Sequence, residues 1–218
     1  MSYYSYNNRG GGFLSTIPTA TKNIIIINVL VMIMTSLNQG FMYETFALFY
    51  PTSPFFHWWQ PVTHMFMHGG FWHLFFNMYT LYIFGTVLER IWGAKKFLLF
   101  YFVTGIGAAL IHTGVEWIQV QSWLTAAAEG SMQAQASIHM MKMTPTVGAS
   151  GAIYGLLGAM LLLTKKKGSR YTGMSYSTML LLAATAICMG FFEPNVDNLG
   201  HIGGFLGGMA MFCLLLRK

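Results

Sequence analysis

Ser150 is the side chain best placed to do chemistry in this sequence. It lies among small residues, Thr146-Val147-Gly148-Ala149-Ser150-Gly151-Ala152-Ile153-Tyr154-Gly155, where an apolar helix begins. Such a run admits two readings. It lets membrane helices pack closely, or it clears room for a substrate to reach a nucleophilic hydroxyl, and taken alone it favours packing. Two other stretches shift the balance. Asn198-Leu199-Gly200-His201 opens the last apolar segment with an imidazole able to take a proton from Ser150. His73 and Asn77, four apart, share one helix face. With the Ser150 amide they can donate to the oxyanion that forms when a serine attacks a carbonyl, a stabilisation of roughly 3 kcal/mol per donor. Tyr154, one turn after Ser150, can stack on His201 and fix the ring without a third acid. Asp197, four residues before His201, is expected at a loop end in water and outside this constellation.

The elements that must position these groups follow from composition. Of 218 residues, 55% are apolar, 16% aromatic and only 8% charged. A soluble globule carries about a quarter charged residues, so this is a polytopic membrane chain. Charge-free gaps run from Lys22 to Glu44, Lys96 to Glu116, Lys142 to Lys165, Arg170 to Glu193 and Asp197 to Arg217. Each is about long enough to cross ~30 Å of hydrocarbon. With an apolar stretch beyond Pro51, Pro54 and Pro61 they predict six transmembrane helices, at about 23–42, 72–88, 97–115, 147–164, 176–191 and 198–216.

Orientation follows from the basic residues. With both termini cytoplasmic, Arg9, Lys22, Arg90, Lys95, Lys96, Lys165, Lys166, Lys167, Arg170, Arg217 and Lys218 lie inside, and only Lys142 lies outside. The net charge of +6 is therefore a topology signal, and no nucleic-acid partner is implied. Cys188 and Cys213 both fall within spans, which excludes a disulfide framework and a zinc spacing.

The second, fourth and sixth spans all enter from the outer face, and each carries its polar residues in its first turns. Unrelated packing serines and core histidines have no reason to share a depth, whereas a water-filled site sunk below the outer surface requires it. Gly200, Gly204 and Gly208 repeat every four residues and let the sixth helix approach a neighbour closely. His64 and His68 are expected to cap the turn at Gly69-Gly70 and hold the loop by hydrogen bonds, and His112 to be satisfied locally. Glu89 beside Arg90 reads as an ion pair or loop cap on the cytoplasmic side. Residues 1–21 read as a mobile cytoplasmic tail ahead of a membrane domain at 22–218. The aromatic loop 43–61 should lie in the outer interface. Segment 116–145 should form one amphipathic interfacial helix.

These motifs resemble the rhomboid intramembrane serine proteases. The matching residues are His68 through His73-x-x-x-Asn77, Gly148-Ala149-Ser150-Gly151 with Tyr154, Asn198-x-x-His201-x-x-Gly204-x-x-x-Gly208, and Glu89 within Gly85-x-x-x-Glu89-x-x-x-Gly93. The resemblance implies an all-α rhomboid-like bundle of the bacterial six-helix type in the cytoplasmic (inner) membrane. It implies a Ser150/His201 dyad, an oxyanion site at His73, Asn77 and Ser150, and supporting roles for Tyr154, Asn198, Gly204, Gly208 and His68. It also implies cleavage of transmembrane protein substrates near their outer ends, with no metal or cofactor. Two features depart from the family pattern: Trp59-Gln60 stands where Trp-Arg is frequent, and segment 116–145 is long. Two rival readings are a catalytically silent relative that escorts membrane clients, and a haem or metal protein using His64, His68, His73, His112 and His201.

Overall fold

A computed structural model describes residues 15–192 and 196–215. Most of the predicted tail with Arg9, the acid Glu193, and the terminal Arg217 and Lys218 lie outside the described residues. The described residues form helices joined by loops, without strands: α1 (Thr19–Leu37), α2 (Gln39–Phe46), α3 (Gln60–Thr63), α4 (Phe71–Trp92), α5 (Ala94–Ala128), α6 (Met132–Met143), α7 (Ser150–Lys167), α8 (Ser169–Thr172), α9 (Tyr176–Gly190) and α10 (Asn198–Leu215). Two of these, α1 and α5, are long and apolar enough to cross a membrane, and α9 and most of α10 are shorter apolar helices. Isoleucines of α1 and the aromatic run of α4 stay exposed, Ile27, Leu30, Ile33, Trp72 and Phe76 among them. In water such faces would be a liability, and in lipid they need no cover.

The sequence expectations need two corrections. The first span starts four residues and ends five residues earlier than predicted, and Asn38 sets its end: its side chain accepts from the Phe41 amide and starts α2. The third helix does not end near residue 115. It runs 35 residues without interruption, about 50 Å against ~30 Å of hydrocarbon. Glu116 does not stop it, because its carboxylate meets His112 one turn earlier, 3.3 Å away. Nor does any glycine or proline stand between Glu116 and Gly130, where φ is +93°. Ser131 then caps a separate helix by accepting from the Ala134 amide. Segment 116–145 is thus the end of α5 followed by α6, and not one helix.

The core centres on α7, which packs against α4, α5, α9 and α10. Its run from Gly155 to Leu161 is buried, against Leu81, Phe84, Phe97, Phe100 and Tyr101 of α4 and α5. At the opposite end of α4 from the histidines, the Glu89 carboxylate accepts from the Ala20 and Thr21 amides at 2.8 and 2.7 Å and from the Thr21 hydroxyl. It caps α1, whose first N–H groups have no partner within the helix. The ion pair with Arg90 does not form part of this; the Arg90 guanidinium instead donates to the Thr16 carbonyl.

Candidate active site

Ser150 is the first residue of α7 and His201 lies in the first turn of α10, so both stand where their helices begin. The two helices touch backbone to backbone. A Cβ at Gly204 would strike the Gly151 carbonyl oxygen, and one at Gly208 the Gly155 carbonyl oxygen. This approach brings His201 Nε2 to 2.8 Å from Ser150 Oγ. Tyr154 holds the imidazole from one side: the rings stack with centroids 4.2 Å apart and planes 13° from parallel. Its phenol donates to the Ala186 carbonyl at 2.7 Å, which ties the stack to α9. Asn198 adds a second tie, donating to the Gly190 carbonyl at 3.1 Å.

His201 Nδ1 is buried without a partner, and among the described residues no carboxylate is bonded to the ring. Asp197, expected in water, is instead partly buried and paired with His112, its Oδ2 lying 3.0 Å from His112 Nδ1. His112 is accordingly not satisfied within its own helix alone. Attraction to the imidazolium and a hydrogen bond from the Gly200 amide outweigh burial, and they hold the Asp197 carboxyl below its usual range.

His73 Nδ1 accepts from the Gly69 amide at 3.3 Å, so in the neutral ring Nε2 carries the hydrogen. That Nε2 faces Gly148. A Cβ at Gly148 would lie 3.0 Å from it and 3.4 Å from Ser150 Oγ, so donor and hydroxyl flank the same glycine. Only glycine suits this point for a second reason, its φ of +136°. Asn77, one turn further along α4, is buried and its amide nitrogen has no partner.

His68 supports His73 through a ring contact, edge to face with centroids 4.9 Å apart. Both of its ring nitrogens are buried without partners, contrary to the hydrogen-bonding role expected for it. His64 does hold the loop: its Nδ1 lies 2.9 Å from the Gln60 carbonyl, and its own carbonyl accepts from the Gly148 amide at 3.0 Å. Burial pushes the His64 imidazole down to about 4 and that of His68, helped by His73, to about 3.

Gln60, which the sequence marks only as a departure from the Trp-Arg pattern, anchors the loop. It is fully buried, accepts from the Phe49 amide, and donates to the Glu44 and Phe55 carbonyls. A neutral amide thereby closes the loop that the Trp-Arg pattern would close with a charge. The loop is then pinned to the segment before Ser150 by paired bonds between Leu48 and Thr146, 2.9 and 2.8 Å. Its middle is more buried than an interfacial loop implies, Ala47 to Tyr50 being enclosed while Trp58 remains exposed.

An all-helical protein of the membrane, with a serine and a histidine in hydrogen-bond contact where two glycine-bearing helices cross, is the class this fold and site define. The chain belongs to the rhomboid family: the Rhomboid domain matches residues 56–218. It is an integral membrane protein. Similar proteins include the Rhomboid protease GluP of Bacillus subtilis (strain 168), 28% identical over 196 residues covering 88% of this chain and 34% of the relative. The protein YdcA of the same organism is 30% identical over 162 residues, 74% of this chain and 69% of its own length. RHOMBOID-like protein 5 of Arabidopsis thaliana is 35% identical over 73% of this chain and 45% of its own. The chain thus spans about a third of the first of these relatives.

Proposed function

We propose that this protein is an intramembrane serine endopeptidase that cleaves transmembrane proteins near their outer ends through a Ser150/His201 dyad. The observation that carries the reading is the 2.8 Å contact between Ser150 Oγ and His201 Nε2. The relative Rhomboid protease GluP carries a name that agrees with it. His201 takes the hydroxyl proton as Ser150 Oγ attacks the peptide carbonyl, forming a tetrahedral oxyanion. The first amides of α7 have no partners within the helix and sit at the positive end of its dipole. Together with His73 Nε2–H and the Asn77 amide they stabilise that charge. The intermediate collapses as His201 returns the proton to the leaving amine. Water then hydrolyses the acyl-enzyme with His201 again the base.

In this reading α1, α4, α5, α7, α9 and α10 are the six spans, both termini face the cytoplasm, and the protein resides in a bacterial inner membrane. The membrane domain then begins with α1 at Thr19, three residues ahead of the boundary expected at residue 22, and the residues before it are a cytoplasmic tail. The eleven-to-one distribution of basic residues supports the orientation. The beginnings of α4, α7 and α10 then open to the outer side, where water can enter and a client helix can unwind.

The test is labelling of the detergent-solubilised protein with a fluorophosphonate, paired with cleavage-site mapping on co-expressed single-span proteins. Labelling at Ser150, lost in Ser150→Ala and strongly reduced in His201→Ala, is the expected result. A folded wild type that neither labels nor cleaves would favour the silent client-escorting reading instead.

A further inference from the structure

His112 lies outside the dyad and the oxyanion donors, yet it joins three separate pieces of the site. From α5 its Nδ1 meets Asp197 Oδ2 at 3.0 Å. Its Nε2 lies 3.0 Å from the Thr146 hydroxyl and 3.3 Å from Glu116 Oε1. Thr146 precedes Ser150 by four residues and Asp197 precedes His201 by four. One imidazole thus touches the approach to each member of the dyad. Thr146 is also the residue that pairs with Leu48 of the outer loop. Asp197 is built into α10: its Oδ1 accepts from the Gly200 amide at 2.8 Å and its carbonyl from the His201 amide at 3.0 Å, so it caps the turn that carries His201. The next contact along α10 is apolar, with Gly203 set against Ile111.

We propose that His112 and Asp197 are positioning residues of the Ser150/His201 pair. Resting on the protease reading above, the pair anchors the first turn of α10 to α5 and to the segment leading into α7. It also keeps the Asp197 carboxylate engaged beside a histidine whose free nitrogen has no acid of its own. The groups around His112 are Asp197, Glu116, Thr146 and, nearby, His64. Those around His201 are Ser150, Tyr154, His73 of α4 and, one helical turn back, Asp197.

Two consequences separate positioning from mere structure. Removing either partner loosens His201 relative to Ser150 and lowers the chemical step without weakening substrate binding. The two removals also unbalance the charge near His201 in opposite senses. His112→Ala leaves an unpaired negative charge, which favours the imidazolium, so Ser150 reactivity is lost at higher pH than in the wild type. Asp197→Asn keeps an acceptor for Gly200 but removes the negative charge, so the acid limb moves to lower pH.

The experiment measures the fluorophosphonate labelling rate of the full chain in detergent from pH 5 to 9, with kcat and KM on a single-span reporter. His112→Ala and Asp197→Ala are each expected to lower the labelling rate and kcat about 10- to 100-fold with KM within twofold. The double variant should be no worse than the poorer single one. Asp197→Asn should recover most of the rate, with the acid limbs displaced as described. Thermal unfolding identifies variants that do not fold, and Asp197→Asn carries the pH test if the alanine variants are lost. Labelled, folded variants with wild-type rates and coincident acid limbs would overturn the positioning role alone, while an unlabelled wild type would overturn the protease reading with it.

Discussion

Gly204→Ala puts the helix crossing at the heart of the site to a direct test. The added Cβ would meet the Gly151 carbonyl oxygen, with the carbonyl carbon 3.0 Å away and Cα 3.3 Å away. All of these are backbone atoms, so no side chain can swing aside. Carbon contacts settle at about 3.5–4.0 Å, and with the oxygen closer still the helices must part by on the order of 1 Å. Ser150 Oγ and His201 Nε2 start 2.8 Å apart, on opposite sides of this crossing. A displacement of that size carries them beyond hydrogen-bond range. A misplacement of about 1 Å costs on the order of 100-fold in rate, equivalent to about 2.7 kcal/mol in the barrier. Overpacking separately costs about 1–3 kcal/mol in stability. Gly207→Ala is the internal control: it lies on the same helix, but its added methyl meets nothing within 4 Å. The assay is the initial rate of reporter cleavage in liposomes, with fluorophosphonate labelling and thermal unfolding on the same preparations. Folded Gly204→Ala cleaving within threefold of Gly207→Ala would refute the claim that the glycine contact sets the dyad.

Four further outcomes follow. Tyr154→Phe keeps the ring stack but loses the bond to the Ala186 carbonyl, so labelling should fall only a few-fold, whereas Tyr154→Ala should fall at least about tenfold. Glu89→Gln keeps the volume but weakens three buried bonds to α1; unfolding should occur several degrees lower while the labelling rate of folded protein stays near wild type. Gln60→Ala strands the Phe49 amide and the Glu44 and Phe55 carbonyls. It should destabilise by about 1–3 kcal/mol and increase proteolysis of loop 47–59. Acid should destabilise the fold through His64 and His68. Their folded values, about 4 and about 3, lie below the unfolded 6.5, so the unfolded chain binds more protons. Stability is full above pH 6.5 and falls as pH drops from there toward 4. Thermal unfolding across pH 7.5 to 4 should show the loss, and a flat profile would count against their neutral burial.

How much of this was legible in the sequence depended on whether the information was local. The glycine spacing of α10 and the small residues around Ser150 state their purpose by spacing, because a helix repeats every 3.6 residues and a face can be counted. The ring stack of Tyr154 on His201 was foreseen for the same reason. The end of α5 was not, because a charged residue was taken to end the helix. Glu116 ends nothing, since His112 answers its charge one turn back. Asp197 was misplaced by the same habit of treating each charge singly: its partner is far away in sequence, and no spacing connects residues 112 and 197. Gln60 shows the converse. An amide looks like a weaker substitute for arginine, but buried in a loop that supplies one donor and two acceptors it is fully matched without the cost of desolvating a charge. Long-range polar pairs are therefore what a sequence hides best. Here they decide how α5 and the loops grip the ends of α7 and α10. The close helix crossing brings Ser150 and His201 together, and on the positioning proposal above the polar contacts at its rim are what keep them aligned.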